Sequence, residues 1–298
     1  MALVCVGSAR GAPGATTLAL CVAACWPRPV ALVEADAAGG VLATRYGLGR
    51  TPGLADLAAA VENRAAATVI WNTAQELPGG LAAVVAAESG EITGGILRDV
   101  ARPLGRWCAR LDEADVVADC GRVGAGSPTL GLVSAADAVL VVCRPRAEEL
   151  YPAAHRLRHL AGIDNGDSPR GWVGLVLVGR RPHGPEEITG QLGVPVAGVI
   201  EEDPRSAAAI RDGGSARALR RSVLVRSVQS FVDELTARLG VAAPAEPAAE
   251  DHVAAEPAAY RPAGRDRGPG EGPAETEAAT GGGVSRWRLR SRRGEAGA

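Results

Sequence analysis

The chain predicts an α/β protein, a doubly wound and mostly parallel sheet with helices on both faces, followed by a disordered C-terminal tail. Three observations predict it. Short apolar runs alternate with longer stretches of helical period from residue 1 to about residue 240. The first run leads into a glycine-containing loop, "GSARGAPGATT" (7–17), and then a second apolar stretch. After Val241 the composition breaks abruptly into Ala, Pro, Glu and Gly.

The expected strands are Ala2–Val6, Val30–Glu34, Leu81–Ala86, Asp115–Asp119, Ala138–Cys143, Trp172–Val178 and Val196–Ile200, all apolar runs of strand length. Helices are expected between them at Ala15–Trp26, Leu54–Asn63, Ile92–Leu111, Ala147–Ala161 and Pro185–Leu192. A last helix is the clearest by period. Leu224, Val228, Phe231, Val232, Leu235 and Leu239 form one apolar stripe that must pack on the sheet. Residues 1–240 therefore read as one domain. Residues 241–298 read as disordered, because no Leu, Ile or Phe occurs there before Leu289 and chain entropy outweighs what could be buried.

Composition narrows the class. At 298 residues and 47% apolar content the chain can build a large core, and a formal charge of −2 gives no global attraction to nucleic acid or anionic lipid. No run is long and apolar enough to span a bilayer, so a cytoplasmic protein is expected. Cys5, Cys21, Cys25, Cys108, Cys120 and Cys143 sit in apolar runs without metal-ligand spacing and read as small core residues. All 32 basic residues are arginine. No lysine can reach a phosphate from this polypeptide.

A strand, a glycine loop and a helix opening with Thr16-Thr17 arrange backbone N–H groups and a positive helix end around an anion. "VCVGSARGAPGATTLAL" has that order, "VALVEADAAGG" brings Glu34 and Asp36 to the end of a second strand, and "DVVADCG" brings Asp119 to the end of a third. On these residues, with "TPGLADLAA", "AADAVLVVCRP" and "GVPVAGVIEEDPRSAAAIRDGG", the chain resembles the ParA/MinD family of deviant P-loop ATPases from about Met1 to Leu239.

The resemblance implies roles. Gly11, Ala12, Pro13, Gly14, Ala15, Thr16 and Thr17 would form the phosphate loop, Asp203 and Pro204 the loop that wraps the base, and Thr16, Asp36 and Asp119 the magnesium site. Asp36 would position attacking water, with Glu34 at the place of the family's first aspartate. Arg10 stands where the family has its partner-reaching lysine. Two departures matter. Ala15 replaces the lysine that touches the β- and γ-phosphates, and Val178 or Gly179 stands where an adenine-reading asparagine is common.

The loss of a charged hydrogen bond to phosphate costs about 1.5–3 kcal/mol, and phosphoryl transfer depends on positioned positive charge. The expectation is therefore a degenerate Walker A loop with weak or absent use of ATP or ADP and Mg. Such loops resemble the septum-site-determining-like and pilus-assembly (CpaE/TadZ-like) branch, implying a homodimeric spatial organiser that meets a division, partitioning or secretion-apparatus protein. The alternative is an active partitioning ATPase using Arg10 and binding DNA non-specifically through Arg217, Arg220 and Arg221; a solvated helix face is the bland reading of those three. The tail end "VSRWRLRSRR", Arg286 to Arg293, is either a solvated segment or a peripheral contact for membrane, nucleic acid or a partner.

Overall fold

The computed structural model describes residues 1–11, 14–112, 114–162, 171–213 and 221–241. All of them lie in one compact unit, Met1–Glu246. Ala12, Pro13, Arg217, Arg220 and the tail with Arg286–Arg293, for which roles are expected, lie outside the described residues.

Eight strands form one sheet: β1 (Leu3–Ser8), β2 (Val30–Glu34), β3 (Gln75–Glu76), β4 (Ala82–Val84), β5 (Asp115–Arg122), β6 (Ala138–Cys143), β7 (Trp172–Val178) and β8 (Val196–Ile200). Their order is β3-β4-β2-β5-β1-β6-β7-β8. Every neighbouring pair is parallel except β3 with β4. The inner strands β1, β5 and β6 are almost wholly buried, which is why they read as continuous apolar runs and not as alternating ones.

The helices are α1 (Ala15–Ala24), α2 (Leu42–Tyr46), α3 (Leu54–Glu62), α4 (Val69–Thr73), α5 (Gly90–Cys108), α6 (Leu130–Val133), α7 (Ala147–Ala161), α8 (Pro185–Leu192), α9 (Pro204–Arg211) and α10 (Val223–Leu239). On one face α1 and α10 bury Leu18, Val22, Val228, Phe231 and Val232 against Val4, Val6 and Leu140. On the other, α3, α5 and α7 bury Leu57, Leu97, Leu104, Ala154 and Leu157 against Cys5, Val116 and Val139. The expected stripe of α10 is seated on β8, where a β-carbon on Gly198 would lie 2.5 Å from the Phe231 ring.

Boundaries shift for identifiable reasons. α1 stops at Ala24, not Trp26, because Trp26 precedes Pro27 and its indole turns inward to donate to Asp115 Oδ2 at 2.7 Å. Only Ala82–Val84 of the expected Leu81–Ala86 strand pairs. The Val85 carbonyl instead accepts from Leu54 N at 2.8 Å, and Ala86 N donates to Glu34 Oε2 at 3.0 Å. α5 starts at Gly90 because Ser89 caps it, its hydroxyl accepting from Ile92 N. Helices α2, α4, α6 and α9 were not expected; at four to eight residues they are too short to show a period. The two-residue β3 escapes for the same reason.

Candidate functional site

Parallel pairing brings the carboxyl ends of β1, β2 and β5 side by side. Val6 of β1 and Glu34 of β2 are both in register with Asp119 of β5, so the residues that follow them share one edge of the sheet. This is the edge at which open α/β sheets bind ligands.

The loop after β1 is held by its own residues. Gly11 has φ +73° and donates its amide to Ser8 Oγ at 3.0 Å, while Gly14, at φ +94°, precedes α1 and accepts from Leu18 N at 2.8 Å. A left-handed residue there favours glycine because a β-carbon would crowd the following carbonyl. Ala15 opens α1 and its methyl is buried in the α1/α10 core; Thr16 and Thr17 follow half-exposed on the first turn. The loop thus leads into a helix N-terminus whose first residue carries only a methyl group.

Asp119 faces this turn, with Asp36 near it. Asp119 is 1% exposed; its Oδ1 accepts from Gly121 N at 3.1 Å and its Oδ2 is buried without a hydrogen bond of ordinary geometry. Burial pushes its pKa up to about 6, with the charges of Asp36 and Glu34 adding to the rise and the nearby Thr16 hydroxyl and Gly121 amide opposing it. Thr16 is close enough to act on the charge yet does not close a regular bond to Oδ2. Asp36 is half-buried in a turn, with Oδ1 accepting from Ala38 N at 2.9 Å.

Glu34 is a different case. Fully buried, it accepts from Val41 N at 2.6 Å and Leu42 N at 2.9 Å through Oε1, and from Ala86 N through Oε2. Its three hydrogen bonds all go to backbone, so it fastens the turn after β2 to Ala86, just past β4, and holds the first amides of α2.

Other expected residues lie apart. The exposed Arg10 sends Nη1 to the Glu148 carbonyl at 3.2 Å, onto the first turn of α7 and away from α1. Asp203 and Pro204 begin α9, after β8, three strands from β1. Both Asp203 oxygens are engaged by Ser206, whose hydroxyl and then amide hold the carboxyl below its usual pKa. Ser8 and Gly121 were missed. Gly121 has φ +55° and packs on Asp36, an arrangement carried by no local sequence signal beyond a glycine after a strand.

A cavity of about 920 Å³ lies elsewhere, around the C-terminal end of α1 between Cys21, Trp26, Tyr46, Trp71 and Leu77, and among the described residues its lining carries no carboxylate.

A glycine loop between a central parallel strand and a helix, with acidic residues at the ends of the two strands on one side of it, is the architecture of the P-loop nucleoside triphosphatases. Solved structures narrow it to the ParA/MinD fold. A ParA family ATPase from Chlorobium tepidum superposes with TM-score 0.66 at 18% identity, over 78% of this chain and 98% of that one. The cell division ATPase MinD of Pyrococcus furiosus gives 0.61 at 18% identity, over 80% and 99%. MinD of Pyrococcus horikoshii, a septum site-determining protein complexed with Mg-ADP, gives 0.58 at 16% identity, over 80% and 98%. No family model matches the chain, and no curated protein matches it in sequence. At these identities the likeness is one of fold. Among the described residues no helix is long and apolar enough to cross a membrane.

Proposed function

We propose that this is a ParA/MinD-like spatial organiser whose degenerate phosphate loop binds Mg-nucleotide weakly and hydrolyses it poorly or not at all. The reading gives it a homodimeric state and a protein partner in septum placement, partitioning or pilus and secretion assembly. One observation carries it. The helix-opening residue is Ala15, with a buried methyl and no lysine anywhere in the chain, while Thr16, Asp36 and Asp119 are still gathered opposite.

The residues fit magnesium. Asp119 Oδ2 is a buried anionic oxygen lacking an ordinary partner, and Thr16 and Asp36 supply further hard oxygens beside it. When bound, the ion would offset charge on nucleotide phosphates. Around it, Gly14 and the first amides of α1 would hold phosphate oxygens, Thr16 would orient a ligand oxygen, and Asp36 would hold a water. Arg10 directs its guanidinium to the Glu148 carbonyl on α7, which supports a phosphate loop without a replacement cation. This favours poor hydrolysis over the alternative, an active partitioning ATPase driven by Arg10.

The test is equilibrium binding of Mg-ATP to the full chain by calorimetry, with phosphate release measured alongside. We expect weak binding that tightens about ten- to a hundredfold in Ala15→Lys, the value of one charged phosphate contact. Binding by Asp119→Asn should lose its magnesium dependence. Tight binding with sustained turnover by the native chain would establish the active-ATPase alternative; no binding by native or Ala15→Lys protein, both folded, would remove nucleotide from the account.

A further inference from the structure

The cavity of about 920 Å³ at the C-terminal end of α1 is walled by aromatic rings from three places in the chain: Trp26 just after α1, Tyr46 at the end of α2 and Trp71 in α4. The chain holds only five tryptophans, three tyrosines and one phenylalanine, so this grouping concentrates ring surface in an aromatic-poor protein. Two of the rings have their polar tips engaged by the protein itself. Trp26 Nε1 donates to Asp115 Oδ2 at 2.7 Å, and the Tyr46 hydroxyl donates to the Ile210 carbonyl at 2.8 Å. What these two leave for a ligand is ring surface and not a hydrogen bond. Burial, helped by neighbouring Cys25, pushes the Cys21 thiol up to about 12, so that wall is uncharged as well.

Charge enters from α10. Arg226 is exposed, and it is the one ionised side chain of the described lining. Among the described residues it takes part in no ion pair. Gln229, one turn further on, gives its amide nitrogen to Asp233 Oδ1 at 3.0 Å, which leaves Arg226 as the cavity's charged contact.

We infer that this cavity binds a flat polycyclic aromatic molecule bearing one carboxylate. The class follows from the walls. Aromatic rings offer offset-stacked and edge-to-face contacts to a planar ligand, beyond the area burial that a saturated chain would also gain. The volume falls within the range of small-molecule sites, about 300–1,000 Å³. The Arg226 guanidinium is a planar fork that holds a carboxylate through two parallel hydrogen bonds, and the described lining offers no acid to repel it. The inference is independent of the nucleotide reading, since the described lining includes neither the phosphate-loop residues nor Asp36 or Asp119.

The test titrates the full chain with 1-pyrenecarboxylate, read by pyrene fluorescence, with the neutral 1-pyrenemethanol as the uncharged comparison and decanoate as the saturated competitor. We expect saturable micromolar binding of the pyrene acid, about five- to tenfold weaker in Arg226→Ala, while 1-pyrenemethanol changes less than twofold. Ala24→Phe, which adds a ring at an exposed position of the lining, should weaken both pyrenes at least tenfold. Thermal melting shows that each variant is folded. Lack of saturable binding by the native chain would overturn the proposal, as would equal affinity of the acid for native and Arg226→Ala protein. Unchanged binding in folded Ala24→Phe would place the ligand elsewhere and overturn the site. Tighter binding of decanoate than of the pyrene acid would overturn the ligand class.

Discussion

A β-carbon built on Gly121 would lie 2.1 Å from Cγ of Asp36, so the end of β5 and the loop after β2 interlock at a place where only a hydrogen fits. Gly121 also has φ +55°, and its amide binds Asp119 Oδ1. This one residue thus sets the positions of both carboxylates among the candidate magnesium ligands.

Gly121→Ala should therefore lose roughly 2–4 kcal/mol of stability, through backbone strain and displacement of Asp36 together. Gly126→Ala is the control, since its β-carbon would meet nothing within 4 Å and its backbone is not left-handed. Urea denaturation of the two variants measures the difference; equal midpoints would refute the interlock.

Asp119 makes a pH prediction. Its folded pKa, about 6, lies above its unfolded value near 3.8, so the folded state binds more protons between these values and stability falls as pH rises through that window. The full penalty, about 3 kcal/mol at 1.36 kcal/mol per pKa unit, is present above pH 6 and absent below about 4. Asp119→Asn should raise the melting temperature at pH 7.5 and have little effect near pH 4. A constant difference at both pH values would disprove the linkage.

Magnesium offers a complementary check. If Asp119, Thr16 and Asp36 hold the ion with nucleotide, then Mg-ADP should raise the native melting temperature more than ADP alone, by ligand linkage. The gain should vanish in Asp119→Asn. Thermal scans with and without chelator read it directly.

Glu34 should behave as a structural residue. Three backbone amides, of Val41, Leu42 and Ala86, donate to it in the interior, and Glu34→Ala would orphan all three. A loss of about 3–5 kcal/mol is expected, with Glu34→Gln less severe because Oε1, which takes two of the bonds, survives as an amide oxygen. Chemical denaturation distinguishes the two variants.

Asp115 ties the other end of the sheet. It accepts from Ala2 N and Trp26 Nε1, both at 2.7 Å, and Arg28 Nε lies 3.7 Å away. Asp115→Ala should cost about 3–5 kcal/mol, because two buried donors lose their acceptor. Tryptophan fluorescence during urea unfolding follows the effect.

The sequence alone determined the layered α/β class, seven of the eight strands and the long helices, because buried parallel strands and amphipathic helices each impose a period that survives without knowledge of partners. It also showed the glycine loop, the missing lysine and the carboxylates at strand ends, since these are properties of residue type and order. Tertiary structure decided what each carboxylate does. Glu34 and Asp36 are two residues apart on one strand end, yet Glu34 is spent on three amides while Asp36 turns toward Asp119 and Gly121. Likewise Arg10 reaches α7 and not the loop beside it, Asp203 caps α9, and Asp119 is left with an unpaired buried oxygen. Which amide, charge or hydroxyl meets a given oxygen depends on strand register and loop packing across more than a hundred residues, as where Ala2 N meets Asp115. No local pattern encodes those distances.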